Sequence, residues 1–171
     1  MGVSDGGDYA AFYTASWPRL LRVTYAVTGD SQRAEDALQT AFAQAFAAWE
    51  KVRRADDPAA YVRKIAVNAA LAQERKAFRR RESLSGALPE PAPGRRSDDD
   101  VVVRDEVWTA VQALPGRQRA VVVLRYYEDL TERQIAEVLG CRPGTVKSQA
   151  AAALATLRAR LREPATHGEL P

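Results

Sequence analysis

The stretch LTERQIAEVLGCRPGTVKSQAAAALATLRARLR, residues 130–162, admits few folds. Thr131 is placed to cap a helix, and Gln134 three residues on completes a capping box. Leu130 and Ile135 flank that cap where a hydrophobic staple would pack. Ile135, Val138 and Leu139 give the short helix one apolar face, and Gly140 can close it in the left-handed conformation. Pro143 presets the first turn of a second helix, whose inner side carries Val146, Ala150, Ala153, Leu154, Leu157 and Leu161. Two helices about a tight glycine turn, the second rich in cations, predict a helix-turn-helix. The outer face of the second helix begins with Thr145, Lys147 and Ser148, where a recognition helix meets base edges. Arg158, Arg160 and Arg162 follow, within reach of phosphates.

Composition narrows the function classes. The 171 residues are 46% hydrophobic and 27% charged, an ordinary globular balance. A net charge of +3 and a pI near 9.2 permit a polyanionic partner without requiring one. The single cysteine, Cys141, excludes an internal disulfide and fits a reducing compartment. We expect no signal peptide, no membrane span and hence a cytoplasmic protein. The sole histidine, His167, lies in the C-terminal tail, and no metal-ligand spacing, P-loop or nucleophile motif occurs, so neither cofactor nor metal nor enzymatic activity is expected.

The rest of the chain reads as helices. Residues 1–8 are rich in glycine and aspartate and are expected to fray. From Tyr9 the apolar positions suggest a helix in which Pro18 marks a start or kink. Asp30 or Ser31 can cap a second helix, 32–49, with Ala34, Ala37, Leu38, Ala41, Phe42, Ala45, Phe46 and Trp49 at amphipathic spacing. Asp57-Pro58 opens a third, which runs into Glu74-Arg75-Lys76-Ala77-Phe78-Arg79-Arg80-Arg81, five cations against one anion. Cations suit a helix C-terminus, but clustering this dense around an aromatic points to nucleic acid. Three prolines and two glycines make 83–100 a flexible linker. Helix resumes with Val103, Val107, Trp108, Val111 and Leu114 on one side, breaks at Leu114-Pro115-Gly116, and continues from Arg117 to Tyr127. The expected class is all-α: two small helical domains, 9–82 and 101–163, joined by the flexible linker, the C-terminal one a helix-turn-helix.

Three blocks in order carry a resemblance. AEDALQTAFAQAF (34–46), DPAAYVRKIAVNAAL (57–71) with its basic continuation, and LPGRQRAVVVLRYYEDLTERQIAEVLGCRPGTVKS (114–148) resemble the sigma-70 family of bacterial RNA polymerase sigma factors, specifically the small extracytoplasmic-function (ECF) type. The similarity spans about residues 9–163. It implies that the first block docks on the beta-prime coiled coil of core polymerase through Glu35, Asp36, Gln39 and Phe42, with Phe46 a further candidate. It implies that the second block captures and melts the −10 promoter element, with Asn68 near the flipped base and Arg75, Lys76, Arg79 and Arg80 on the backbone. An asparagine amide both donates and accepts, which suits the edge of an unstacked base, and the cations act through counterion release.

The third block resembles region 4, the reader of the −35 element. Lys147 and Ser148 match base-facing positions, Thr145 stands near a phosphate, and Gln149, Ala151 and Ala152 complete the DNA-facing set. Arg117 and Arg119 are expected at the DNA backbone or in solvent. The chain departs from the family where Gln149 and the 150–153 alanines replace usual arginines, where Arg142 replaces a capping serine, and where Ala72 replaces an aspartate. The implied partners are core polymerase (beta-prime coiled coil and beta flap) and promoter DNA, with the chain a monomer when free or bound one-to-one. An anti-sigma protein, which holds many relatives inactive, is also implied. The competing reading is a stand-alone helix-turn-helix regulator with an N-terminal helical sensor, which a basic helix end in the first half disfavours.

Overall fold

The computed structural model describes residues 3–84 and 103–162, with side chains from 6 and from 106. Every regular element among the described residues is helical. The expected linker beyond residue 84 and the tail from residue 163 lie outside them.

The first half is a bundle of α1 (Val3–Thr28), α2 (Ser31–Ala47) and α4 (Pro58–Leu84), with the short α3 (Trp49–Val52) closing one end. Helix α1 begins earlier than the glycine-rich start predicts and runs through Pro18 without ending. Thr24 and Thr28 are buried in it, and their hydroxyls donate to the Leu20 and Thr24 carbonyls at 2.9 and 3.0 Å, which makes two polar residues tolerable inside. Gly29 turns the chain at φ +67°, and the Asp30 carboxylate accepts the Arg33 amide at 2.8 Å to start α2. Asp57 does the same for α4 through the Ala60 amide at 3.0 Å. Burial then follows the amphipathic spacing: Ala34, Ala37, Leu38, Ala41, Phe42 and Ala45 all face inward. Phe42 sits amid Phe12, Tyr13 and Trp17, with ring centroids 4.7–6.0 Å away.

The second half contains α5 (Val103–Gln112), α6 (Gly116–Val122), α7 (Glu132–Leu139) and α8 (Pro143–Arg162). The helix expected from Arg117 to Tyr127 divides: α6 passes into a π-helical turn, Val123–Tyr127, where the Glu128 amide reaches back to the Val123 carbonyl at 3.2 Å. The Thr131–Gln134 capping box and the left-handed Gly140, φ +62°, form as the sequence predicts. Leu161 departs from expectation and is 46% exposed, because α8 outruns the helices it packs on.

The two halves share a core. One cluster of buried side chains runs from Val23, Val27, Val67 and Leu71 to Val121, Leu124, Ile135 and Val146. Across this seam Tyr25 stacks on Trp108, centroids 5.3 Å apart and planes 16° apart. The seam needs small residues at two points. A Cβ on Gly29 would collide with the Gln112 side chain, which donates to the Ala26 carbonyl at 2.9 Å, and one on Gly116 would collide with the Glu74 carboxylate.

Candidate nucleic-acid interface

Helix α8 carries the residues expected to face DNA. Val146, Ala150 and Ala153 are buried against α6 and α7, which turns Thr145, Lys147, Ser148, Ala151 and Ala152 outward. Gln149 is half-buried at the edge of this face. The Ser148 hydroxyl donates to the Thr145 carbonyl at 3.0 Å, so in the free protein its proton is already used. Lys147 is therefore the principal charged donor in the first turns, and Arg158, Arg160 and Arg162 extend the exposed cationic side.

On α4 the basic run stays helical to Leu84, two residues beyond the expected domain end. Arg75, Lys76, Arg79 and Arg80 are all exposed, and helical spacing places Arg75 with Arg79 and Lys76 with Arg80 on adjoining stripes. Asn68 lies about two turns before Arg75 on the same stripe. Its side-chain amide donates to the Lys64 carbonyl at 2.8 Å and, across the seam, to the Val138 carbonyl of α7 at 2.7 Å. The predicted base-reading group is thus engaged by the second half.

On α2, Asp36 and Gln39 are exposed and Glu35 is half-buried, with Asp36 accepting from the Gln32 amide at 3.0 Å. Phe42 is only 2% exposed, so its expected polymerase contact is corrected: the ring lies on the inward stripe and belongs to the core. Phe46, one turn on, is 48% exposed and rests edge-on against Tyr9.

Arg119 is the second correction. It sits neither on DNA nor in solvent: it donates to the Val27 carbonyl at 2.7 Å, to Glu74 at 2.6 Å, and to the Gln112 and Leu114 carbonyls at 3.0 Å. Its position four residues before buried Val123 already put it on the inner side of α6. Arg117 stays exposed and donates to the Leu139 carbonyl at 3.1 Å. Burial raises the Glu74 carboxyl above its usual range, outweighing the opposing Arg119 guanidinium.

Sequence reasoning missed Glu128. Its carboxylate is 1% exposed and accepts from Arg19 of α1 and from Arg63 of α4, each at 3.0 Å. Arg63 is itself 11% exposed, whereas Arg19 is 63% exposed, so the Arg63 pair carries most of the interaction. Nothing local marks an acid whose partners lie 65 and 109 residues away in the chain.

Comparison with known proteins places this geometry in context. Residues 12–81 match the family described as Sigma-70 region 2, and residues 104–157 match Sigma-70, region 4. The RNA polymerase sigma-E factor of Streptomyces antibioticus is 34% identical over 145 residues, covering 83% of this chain and 78% of that one. The ECF RNA polymerase sigma factor SigL of Mycobacterium tuberculosis is 31% identical over 157 residues, covering 90% and 88%. Among solved structures, the sigma factor RpoE from Bartonella quintana, crystallised with the anti-sigma factor NepR, superposes with a TM-score of 0.74 at 21% identity, covering 91% of this chain and 98% of that one. That likeness is one of fold.

Proposed function

This chain belongs to the extracytoplasmic-function branch of the sigma-70 family of RNA polymerase sigma factors, and from that premise we propose which of its surfaces carry out transcription initiation. The protein is a DNA-binding initiation factor, not a catalyst, and its partners are core RNA polymerase and promoter DNA. Residues 9–82 form the part that binds polymerase and the −10 element. Asp36 and Gln39, with Glu35 beside them, contact the polymerase from the polar side of α2. Asn68 reads an unstacked −10 base, and Arg75, Lys76, Arg79 and Arg80 hold the melted backbone by charge. Residues 101–163 read the −35 element with Lys147 and Ser148 at base edges and Thr145 at a phosphate. The 83–100 segment spans the two elements, and the protein works with polymerase in the cytoplasm.

The observation that carries this reading is the order of two matched regions together with an exposed, cationic first turn on α8. A stand-alone regulator with a sensor domain is disfavoured, because the first half matches Sigma-70 region 2. Since Asn68 is bonded to Val138 across the seam, initiation requires the halves to part. An anti-sigma protein of the kind bound by the Bartonella factor is a fitting further partner, because it would act on this two-part arrangement.

The test is transcription in vitro with core polymerase on fragmented genomic DNA, with and without the protein. New transcripts starting downstream of a shared two-part sequence are expected, lost in Asn68→Ala and weakened in Lys147→Ala. Sequence-specific DNA binding by the protein alone, without polymerase-dependent starts, would contradict the proposal.

A further inference from the structure

The seam between the halves encloses a cleft of about 600 Å³, within the roughly 300–1,000 Å³ that ligand pockets occupy. Six guanidinium groups line it: Arg33, Arg75, Arg79 and Arg81 from the first half, Arg117 and Arg119 from the second. The only carboxylate among the described lining residues is Glu74, already paired with Arg119. The side chains of Arg33, Arg75, Arg79 and Arg81 make no hydrogen bond or close ion pair to any described residue, and Arg33 and Arg81 act on Glu74 only through space. The Nε of Arg119, in a residue 8% exposed, has no acceptor. Cationic excess of this size in one concavity exceeds the +3 of the entire chain and concentrates anions. The remaining wall is apolar: Leu71, Leu114 and Pro115, with the Phe78 ring 61% exposed beside them.

We propose that this cleft binds a nucleoside polyphosphate, its phosphates held by the arginines of both halves and its base against Phe78 and Pro115. Guanidinium groups pair bidentately with phosphate oxygens, and an aromatic face beside cations suits a planar base. Duplex or melted promoter DNA fits less well, since the cleft exists only while Leu114–Arg119 lie against α4, the arrangement in which Asn68 is occupied. A ligand bridging both walls has affinity for the closed form alone and therefore shifts the protein toward it. It would also compete with the −10 strand for Arg75 and Arg79. That competition rests on the proposed −10 role of those residues; the binding itself does not, so its failure would leave the sigma reading standing.

The experiment is calorimetric titration of the full chain with GTP, inorganic tripolyphosphate and guanosine. GTP should bind saturably, tripolyphosphate about tenfold more weakly, and guanosine not at all. Arg33→Ala with Arg81→Ala should weaken GTP about tenfold or more while circular dichroism of the free protein stays unchanged. Glu128→Gln, outside the cleft, should weaken GTP as well, because binding needs both walls. Absence of saturable GTP binding, or GTP binding indifferent to the arginine pair, would overturn the proposal. So would tripolyphosphate binding as tightly as GTP, which removes the base from recognition. If a single-stranded −10 oligonucleotide bound the free protein through Arg33 and Arg81 while GTP did not, the cleft would be a DNA groove.

Discussion

At the scale of single residues, phase along a helix decides which side chains are available for contact. Phe42 and Phe46 stand four apart on α2, yet one is in the core and the other half in solvent. Phe42→Ala should cost about 3–5 kcal/mol of unfolding free energy, and Phe46→Ala less than about 1, as measured by urea denaturation. Equal costs would mean the ring cluster is not the core. The inward stripe of α2 was readable from spacing alone, but Phe42 falls both on that stripe and in the block whose resemblance implied a polymerase contact, and spacing cannot rank the two readings; its burial decides for the core. Glu74 yields a second expectation. Burial lifts its carboxyl above the usual range, so the folded state holds this proton more tightly than the unfolded chain does. Its contribution to stability then falls as pH rises from the ordinary carboxylate range through the raised one. Glu74→Gln removes that slope while leaving Arg119 an acceptor. The stability of the variant relative to wild type should climb as pH rises above the ordinary carboxylate value near 4.5; a flat difference would contradict the assignment.

At the scale of elements, the helix ends were the most legible part of the chain. Thr131, Gln134 and Gly140 announce α7, and Asp30 and Asp57-Pro58 announce α2 and α4, because caps act within one turn and leave a local signature. Thr131→Ala should destabilise by about 1 kcal/mol and leave the exposed face of α8 intact, as thermal melting and promoter footprinting would show together. Lys147→Ala should do the reverse: unchanged melting, with about 1–3 kcal/mol lost at the −35 element in holoenzyme binding. A melting loss in Lys147→Ala would mean that its stem packs rather than reads DNA. The π turn at Val123–Tyr127 was not legible, because its apolar residues fit an uninterrupted α-helix equally well. The turn closes on tertiary demands: it lets Leu124 stay buried while Glu128 reaches Arg19 and Arg63.

At the scale of the molecule, the docking of the halves could not be read from the sequence. Periodicity reports that a face is apolar, not what covers it, so Val121, Ile135 and Val146 looked like the core of their own domain. Two acids fasten the seam, Glu74 to Arg119 and Glu128 to Arg19 and Arg63, and the partners of Glu128 are distant in the chain. Glu128→Gln should favour separation by about 2 kcal/mol, roughly thirtyfold in the closed-to-open ratio, since Arg63 loses its counter-charge and keeps a neutral hydrogen bond. The free variant should then bind a single-stranded −10 oligonucleotide more tightly than wild type, and unchanged affinity would show that Asn68 is accessible in the closed form.

The stack of Trp108 on Tyr25 gives the protein a built-in optical gauge. The other two tryptophans, Trp17 and Trp49, belong to the aromatic cluster of the first half and report on its folding. Trp108 is the one indole carried by the second half, and its ring leaves Tyr25 only when the halves separate. In a Trp17→Phe, Trp49→Phe background its emission should shift to the red on separation. Polymerase, promoter or a cleft ligand could then be ranked by how far each moves one spectral line, with no label attached to the chain.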